Sequence, residues 1–338
     1  MRQAVMTHPG VIEFGDVPEP SPAPGEVKVR VQRIGVCGSD IHVNKGLHPF
    51  TSYPVVQGHE WSGKIVEIGE GVSGLQAGQK VTATPQVVCG KCAPCRRGDY
   101  NICDSLRVRG FQAPGCAQDY WTTEAEKIVP LPDDFSWDQG AFIEPVAVAC
   151  HSTRRAGDLS GKNVAVTGAG PIGNLVAQVA RVRGGHVMIT DVSDYRLDIA
   201  RQCGLDQTSN AREENLKDAG RRCFGEAGFD VAFECAGVEP ALASVVDSIE
   251  KGGRIVAVAV YEESPRVDMS VVGDRELSIV GTLMYKKEDF TEAVELVAGG
   301  RVVLEPMCSQ HFPFEKYLDA YNFIDEQGEK SMKVFVDL

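Results

Sequence analysis

Four cysteines in one short segment constrain the fold of this chain more than any other feature of the sequence. They follow the spacing C-x2-C-x2-C-x7-C in a loop-like stretch and are Cys89, Cys92, Cys95 and Cys103. Thiolates this close in sequence can surround one tetrahedral ion, and zinc is the usual occupant. Because four sulfur ligands leave no open position for a substrate, the spacing predicts a structural zinc site in a lobe formed by residues 86–106.

A second set of metal-binding side chains lies upstream and has a different composition. Cys37 stands in GVCGSDIH, and His59 and Glu60 stand in VVQGHEWSG. Sulfur, imidazole and carboxylate together suit zinc, and three protein ligands leave one coordination position for water or substrate. The second set therefore predicts an open, catalytic metal site in addition to the closed one.

The bulk composition limits the partners and the compartment. A length of 338 residues favours two domains, and a net charge of −13 argues against nucleic acid or an anionic membrane as a partner. No apolar run reaches the roughly 18 residues that a membrane-spanning helix needs, and the N-terminal stretch lacks the pattern of a signal peptide. Eleven cysteines, an odd number that includes four with metal spacing, favour a reducing, cytoplasmic setting.

The character of the sequence changes near residue 142. Residues 1–141 contain many glycines, prolines and short valine- and isoleucine-rich runs, which predict an irregular, strand-rich domain. Over residues 142–285, short apolar runs alternate with helical stretches, and this alternation predicts an α/β domain with a parallel sheet. The predicted strands are 163–168, 186–191, 230–237, 253–260 and 277–283. One amphipathic helix, KEDFTEAVELVAGG, follows them.

A glycine motif marks a nucleotide site at the start of this α/β region. The stretch GAGPIG follows a predicted strand and begins a helical run, which is the context that the G-x-G-x-x-G pattern requires. The next strand ends at Asp191, whose carboxylate can accept hydrogen bonds from the adenosine ribose and would repel a 2′-phosphate. Arg196 could reach the same ribose, but with the carboxylate present NAD is favoured over NADP. The residues of the phosphate-binding turn are Gly168, Gly170, Pro171, Ile172 and Gly173.

Together these motifs resemble the zinc-dependent medium-chain alcohol dehydrogenase superfamily, in its polyol, sorbitol-type branch. The resemblance covers essentially the whole chain and rests on CGSDIH, GHEWSGKIVEIGEGV, the four-cysteine segment, FIEPVAVACHSTRRAG and VTGAGPIG. It implies an α/β protein with a GroES-like, strand-rich catalytic domain at 1–141, a doubly wound Rossmann domain that binds NAD at 142–285, and a C-terminal return to the catalytic domain at 286–338. It also implies two zinc ions per chain and a homo-oligomer, either a dimer or a tetramer.

The resemblance assigns roles to individual residues. Cys37, His59 and Glu60 resemble the ligands of a catalytic zinc ion. Glu144 resembles a nearby carboxylate that can serve as a fourth ligand or yield to water or substrate. The four cysteines of the predicted lobe resemble the ligands of a structural zinc ion. The further cofactor contacts implied are Val258, Val260 and Thr282.

The chemistry implied is oxidation of an alcohol. A zinc ion lowers the pKa of a hydroxyl from about 15.7 toward roughly 7, so that a hydride can pass to the nicotinamide ring of NAD. The hydroxyl proton must then leave, and Ser39 and His42 match the family's relay from hydroxyl through cofactor ribose and imidazole to solvent. Imidazole suits the last step because its pKa lies near ambient pH. Asp40 is expected to hold local backbone or the surroundings of the metal.

The expected substrate is a small polyhydroxylated molecule, although the sequence departs here from sorbitol dehydrogenases. Val43 stands where those enzymes usually carry a tyrosine, and Met284, before Tyr285, stands where they tend to carry an arginine. The stretch NKGLHPFTSYP more closely resembles relatives that act on sugar acids such as galactonate or idonate. We therefore expect hydride transfer from a secondary alcohol of a polyol or an aldonate to NAD.

Two other functions stay open on the sequence alone. The stretch MYKKEDF has some likeness to the diol branch of the superfamily, so a threonine or 2,3-diol dehydrogenase is the alternative enzyme. The alternative of a different class is a non-catalytic, NAD-binding regulatory protein. Such a protein would usually have lost a metal ligand or a relay group, and this chain keeps all of them.

Overall fold

The computed structural model describes all 338 residues, which form two compact units. The first unit contains Met1–Glu144, Lys286–Ala298 and Cys308–Leu338, and the second contains Pro145–Tyr285 and Gly299–Met307. The chain crosses between the units at 144/145 and 285/286, at or near the predicted domain boundaries. The segment 299–307, which the sequence assigns to the C-terminal return, packs instead within the second unit.

Short strands dominate the chain before the second unit begins. The elements are β1 (Arg2–His8), β2 (Val11–Asp16), β3 (Glu26–Gly35), α1 (Gly38–Asn44), β4 (Glu60–Ile68), β5 (Lys80–Ala83), β6 (Gln86–Val87), α2 (Ala93–Arg96), β7 (Arg107–Val108), β8 (Tyr120–Glu124), β9 (Ile128–Pro130) and α3 (Trp137–Ala156), and the last of these continues into the second unit. The apolar residues of β3 alternate along the strand, and Val27, Val29 and Val31 are buried. A period of two places them on one face of the sheet, which explains the strand.

Strands and helices alternate through the second unit. They are β10 (Asn163–Thr167), α4 (Pro171–Val182), β11 (His186–Asp191), α5 (Asp194–Gln202), β12 (Thr208–Asn210), α6 (Leu216–Phe224), β13 (Val231–Glu234), α7 (Glu239–Ser248), β14 (Arg254–Ala257), α8 (Met269–Asp274) and β15 (Ser278–Gly281). All five predicted strands are present. The sequence did not predict β12, because its three residues are polar and carry no periodic pattern.

The remaining elements belong to the chain after the second crossing. They are α9 (Lys287–Ala298), β16 (Cys308–Pro313), α10 (Tyr317–Gln327) and β17 (Lys333–Asp337). The helix α9 matches the predicted amphipathic helix and buries Phe290, Ala293 and Val297. Single 3₁₀ turns occur at Tyr100–Ile102, Ala125–Lys127, Gly225–Ala227, Glu305–Met307, Phe314–Lys316 and Gly328–Lys330. No helix has both the length and the apolar character needed to cross a membrane.

A seven-stranded sheet organises the first unit. Its strand order is β16-β17-β3-β4-β5-β9, with β8 also paired to β3. The pairing of β3 with β4 is antiparallel and sets Gly35 opposite Glu60, so the end of one strand meets the start of the other. On the other side of β3, β17 is also antiparallel and sets Phe335 opposite Gly35. Three strand ends therefore meet at one place, which is where the site is built.

A parallel six-stranded sheet organises the second unit. Its order is β12-β11-β10-β13-β14-β15, and every neighbouring pair is parallel. In sequence order this is 3-2-1-4-5-6, the doubly wound dinucleotide-binding arrangement. The predicted α/β fold class is confirmed. In such sheets ligands bind beyond the carboxyl ends of the strands, where the order reverses, and here that point lies beside β10.

Candidate active site and metal centres

The four cysteines predicted to bind a structural zinc ion form one cluster, here called the cysteine cluster. The sulfur atoms of Cys89, Cys92, Cys95 and Cys103 all lie within 4.8 Å of one another. Those of Cys92 and Cys103 are 3.8 Å apart. A tetrahedron with zinc–sulfur bonds of about 2.3 Å has edges of about 3.8 Å, so this spacing fits a zinc ion.

Backbone groups prepare the cysteine cluster for a cation. The Cys89 sulfur accepts a hydrogen bond from the Cys92 amide at 3.3 Å, and the Cys103 sulfur accepts one from the Cys89 amide at 3.4 Å. Backbone hydrogen bonds from Lys91 and Cys92 lower the pKa of the Cys89 thiol to about 6. Desolvation raises the pKa of Cys95 to about 12. The loop geometry thus favours at least one thiolate, the form that binds metal.

The lobe that carries the cysteine cluster is tied to the start of α9, within the first unit. The Lys286 ammonium lies 2.9 Å from the Asp99 carboxylate, and this contact lowers the pKa of Asp99. The backbone amide of Lys287 donates to the Tyr100 hydroxyl. The lobe therefore holds the first two residues of the chain after its second crossing.

The other predicted metal ligands also come together, and Cys37, His59 and Glu60 are here called the mixed cluster. Their ligand atoms lie within 4.8 Å of one another. Cys37 follows β3 and caps the N-terminus of α1, while His59 and Glu60 stand at the start of β4. The antiparallel register of the two strands thus assembles a site from residues far apart in sequence.

A buried carboxylate, Asp40, contacts two members of the mixed cluster. Asp40 is fully buried, accepts a hydrogen bond from the Cys37 amide at 2.9 Å, and lies 3.6 Å from Nδ1 of His59. The amide of Gln57 also donates to Asp40, at 3.3 Å. Burial alone would lower the pKa of His59, but Asp40 and Cys37 raise that pKa well above its usual value. Asp40 is expected from the sequence to hold local backbone or the surroundings of the metal, and the structure shows the backbone contact.

A buried lysine that the sequence did not point to faces the mixed cluster from β17. The Lys333 ammonium lies 2.9 Å and 2.7 Å from the two carboxylate oxygens of Glu60, and donates to the Val36 carbonyl at 3.1 Å. Burial opposes its charge, but the charges of Glu60 and Cys37 outweigh that effect and raise the pKa of Lys333. The only signal in the sequence is a lysine inside the apolar run of β17, which is weak because such residues usually face solvent.

The mixed cluster fits a zinc ion by its donor atoms. A thiolate, an imidazole and a carboxylate are the ligand types of catalytic zinc sites. Nδ1 of His59 is buried and makes no hydrogen bond, and because it faces Asp40 the other ring nitrogen is the one available to an ion. Glu144 is buried in α3, and its charge also raises the pKa of His59, but it is not among the three ligands that converge.

The two predicted relay residues lie on α1, next to the mixed cluster in sequence. Ser39 and His42 are both half-buried. His42 and His59 both contribute, after burial, to lowering the pKa of His48, so the three imidazoles are neighbours. The ring of Phe111 stacks on His48 and also packs against His59, with 4.8 Å between centroids in both pairs. No motif in the sequence indicated Phe111, whose ring packs against the predicted metal ligand His59.

The glycine motif is built as a phosphate-binding turn requires. Gly168 has a φ of +89°, and a Cβ added there would lie 2.9 Å from backbone atoms of the neighbouring strand end. A Cβ on Gly173 would lie 1.8 Å from the Gly168 carbonyl oxygen. At Gly170 the same Cβ would meet nothing nearer than the Arg196 guanidinium, at 3.8 Å. The middle glycine therefore leaves open space above the start of α4, which fits a pyrophosphate.

The remaining predicted cofactor residues follow the carboxyl ends of the parallel strands. Asp191 ends β11, and its carboxylate accepts hydrogen bonds from the amides of Ala169 and Ser193 at 2.6 Å and 2.8 Å. Pro171 and Ile172 begin α4, Val258 and Val260 follow β14, and Thr282 follows β15. The Thr282 hydroxyl is buried without a hydrogen-bond partner, so it can serve a ligand. The cofactor roles of these residues stay predictions.

Comparison with known proteins gives matches to two family models. An alcohol dehydrogenase GroES-like domain matches residues 23–133, and a zinc-binding dehydrogenase domain matches residues 171–299. The first match lies within the strand-rich unit, and the second covers most of the unit with the parallel sheet together with α9 of the first unit.

Individual relatives resemble the chain over nearly its whole length. It is 36% identical to the 2-dehydro-3-deoxy-L-galactonate 5-dehydrogenase of Pseudoalteromonas atlantica, over 92% of each protein. It is 35% identical to the sorbitol dehydrogenase of Halalkalibacterium halodurans, over 97% of each. Among solved structures, galactitol-1-phosphate dehydrogenase from Escherichia coli superimposes with a TM-score of 0.92 and 26% identity, over all of both chains.

Proposed function

The chain belongs to the zinc-dependent medium-chain alcohol dehydrogenase superfamily, in its polyol and sugar-acid dehydrogenase branch, and on that premise we propose the reaction it catalyses. It transfers a hydride from a secondary alcohol of a polyol or sugar acid to NAD and releases the keto product. The observation that carries this proposal is the mixed cluster, in which Cys37, His59 and Glu60 place sulfur, nitrogen and oxygen ligands around one point.

The protein residues have separate tasks in this reaction. Zinc, when bound to the mixed cluster, supplies Lewis-acid polarisation of a substrate hydroxyl. Asp40 helps to orient the imidazole of His59. Glu144 is a second buried carboxylate, and its charge also acts on His59. Ser39 and His42 pass the hydroxyl proton toward solvent. The ring of Phe111 shields the imidazole of His59 and helps to keep water away from the ligands.

NAD is the proposed cofactor because of the carboxylate at the end of β11. The two amides that donate to Asp191 fix its orientation at the edge of the phosphate-binding turn. A carboxylate there accepts hydrogen bonds from ribose hydroxyls and repels a 2′-phosphate. We expect the ratio kcat/KM to be higher with NAD than with NADP, and substitution Asp191→Gly to reduce that preference.

A substrate panel tests the reaction, and a ligand variant tests the site. Zinc-loaded protein with NAD is offered sorbitol, galactitol and a series of aldonates, and NADH absorbance is followed. Cys37→Ser should lower turnover by about a thousandfold or more, since a metal contributes several kcal/mol to such reactions, while NAD binding persists. Cys223→Ser is the matched control, because Cys223 lies outside both clusters. Failure of every polyhydroxylated substrate would refute the proposed substrate class.

A threonine or 2,3-diol dehydrogenase is the second candidate. Met284 supports it, because sorbitol dehydrogenases tend to carry an arginine at this position and methionine lacks the hydrogen-bond donors that polyol hydroxyls would use. Met284 has a positive φ of 50° and directly precedes the buried Tyr285. Threonine and 2,3-butanediol therefore belong in the same panel. Higher kcat/KM on either of them than on all polyols and aldonates would favour this second candidate.

We also propose that the chain forms a homo-oligomer, a dimer or a tetramer. The strand β15 is an edge of the parallel sheet, with Ile279 41% exposed on it and Leu283 48% exposed just after it. Unpaired edge strands with apolar side chains favour pairing with a second copy. Ile279→Lys should shift the molar mass measured by light scattering toward the monomer. A wild-type protein that is monomeric at micromolar concentration would refute the proposal.

The proposed setting is the cytoplasm. Four neighbouring cysteines can bind a metal only while their thiols stay reduced, and the cytoplasm keeps them so. Fractionation of cells that express the tagged chain, followed by detection in the cytoplasmic fraction, tests this assignment.

A further inference from the structure

We propose that Lys333 is a positioning residue that keeps Glu60 a one-oxygen, displaceable ligand of the metal at the mixed cluster. The proposal rests on the metal site of the proposed function, but on neither its substrate nor its cofactor. Lys333 belongs to none of the motifs in the sequence, and it reaches the cluster from a strand 273 residues further along the chain.

The contacts of the lysine are complete and specific. An ammonium group has three N–H donors. In Lys333 they are matched by Oε1 of Glu60 at 2.9 Å, Oε2 of Glu60 at 2.7 Å and the Val36 carbonyl at 3.1 Å. The side chains are only 4% and 1% exposed, so water cannot replace either partner. The contact with the Val36 carbonyl holds the ammonium beside the end of β3. The pairing of β17 with β3 therefore determines where the ammonium lies.

The position of the ammonium decides which lone pairs Glu60 can offer. A nitrogen within 3 Å of both oxygens lies on the edge between them and uses the lone pairs that point along that edge. A metal ion chelated by both oxygens would need the same edge. With Lys333 in place, an ion can therefore take only one oxygen of Glu60, from the other side.

One-oxygen binding has a chemical consequence for the open site. A carboxylate held by two charge-assisted hydrogen bonds gives part of its charge to the lysine, and so binds a cation less strongly. A weaker carboxylate ligand leaves its position more readily to water or substrate. Lys333 also interacts electrostatically with Cys37 and Glu144, so its positive charge balances the negative charges of Glu60, Cys37 and Glu144.

The test replaces the lysine and reads the metal directly. In the full chain, Lys333→Met removes the charge and keeps most of the volume. We expect the cobalt-substituted protein to show weaker visible absorption, because chelation by Glu60 raises the coordination number. We also expect metal release to a chelator to slow by about ten- to a hundredfold, the equivalent of one charge-assisted hydrogen bond. Lys333→Arg should restore the wild-type spectrum, since it restores the positive charge.

Controls separate this effect from a general loss of structure. Lys330→Met changes an exposed lysine just before β17 and should leave both measurements unchanged. An unchanged spectrum and release rate in Lys333→Met would overturn the proposal. Should that variant fail to fold, Lys333→Gln, which keeps a donor but no charge, decides the question by the same two measurements. Neither measurement needs substrate or NAD, so the outcome is independent of the proposed reaction.

Discussion

The two metal clusters of this chain are built in opposite ways. The cysteine cluster comes from one stretch of 15 residues, Cys89 to Cys103, and its sulfurs are oriented by amides of the same loop. The mixed cluster comes from the ends of β3 and β4, and its supporting lysine from β17. One site depends on local sequence, whereas the other depends on the register of a whole sheet.

The two clusters also differ in the charged groups that surround them. The cysteine cluster is partly exposed, and the hydrogen-bond partners of its sulfurs are backbone amides, a neighbouring sulfur of the cluster and the hydroxyl of Ser105. In the mixed cluster His59 and Glu60 are buried and Cys37 is half-buried, and the buried charged groups Asp40, Glu144 and Lys333 interact with these ligands. A closed site with uniform ligands needs only a well-shaped loop. An open site that must exchange a ligand during a reaction needs surrounding charges that control how tightly each ligand binds.

The largest contrast should appear when each cluster loses one ligand. Cys95→Ser should lower the free energy of unfolding by about 3–5 kcal/mol, since loss of a structural metal belongs among the large effects of single substitutions. Turnover per folded molecule should change little. Elemental analysis should find one zinc per chain instead of two, and calorimetry should give a lower Tm. A normal Tm together with lost turnover would show that the clusters have exchanged roles.

A smaller effect is expected from crowding the mixed cluster through the backbone. A Cβ on Gly35 would lie 2.5 Å from Oε2 of Glu60, which Lys333 already holds in place. Gly35→Ala should therefore weaken metal binding at the mixed cluster by about tenfold, the equivalent of one lost hydrogen bond to a charged group. Metal titration of the apoprotein measures it. Gly38→Ala is the control, because a Cβ there meets nothing; equal losses in both variants would contradict the assignment.

The smallest effect is expected at the contact between the lobe and α9. Asp99→Asn removes the ion pair with Lys286, whose partners are 39% and 23% exposed. Solvent-screened ion pairs contribute little to stability, so the Tm should fall by roughly 1–3 °C. Asp104→Asn, an exposed position in the same lobe, should have no effect. A loss in Asp99→Asn as large as that in Cys95→Ser would show that the contact, and not the metal, holds the lobe.

The same contrast explains how much could be predicted from the sequence. The superfamily, the α/β fold class and the reaction class are confirmed, because spaced cysteines and a glycine turn between strand and helix leave local patterns. The three ligands of the mixed cluster were recognised only as a combination of motifs. Phe111 left no pattern and Lys333 only a weak one, because their roles arise from ring packing and strand register. The roles of Ser39 and His42 stay predictions.

Because β17 lies near the C-terminal end of the sequence, it is synthesised after all the predicted metal ligands. Lys333 lies 273 residues after Glu60, so the ribosome adds it long after the ligands of the mixed cluster. Throughout that interval the emerging cysteine and carboxylate lack the counter-charge that later balances them. The cysteine loop, in contrast, is complete as soon as residue 103 has left the exit tunnel. A nascent chain can therefore complete its cysteine loop early, whereas the counter-charge of the mixed cluster arrives only with the last strand.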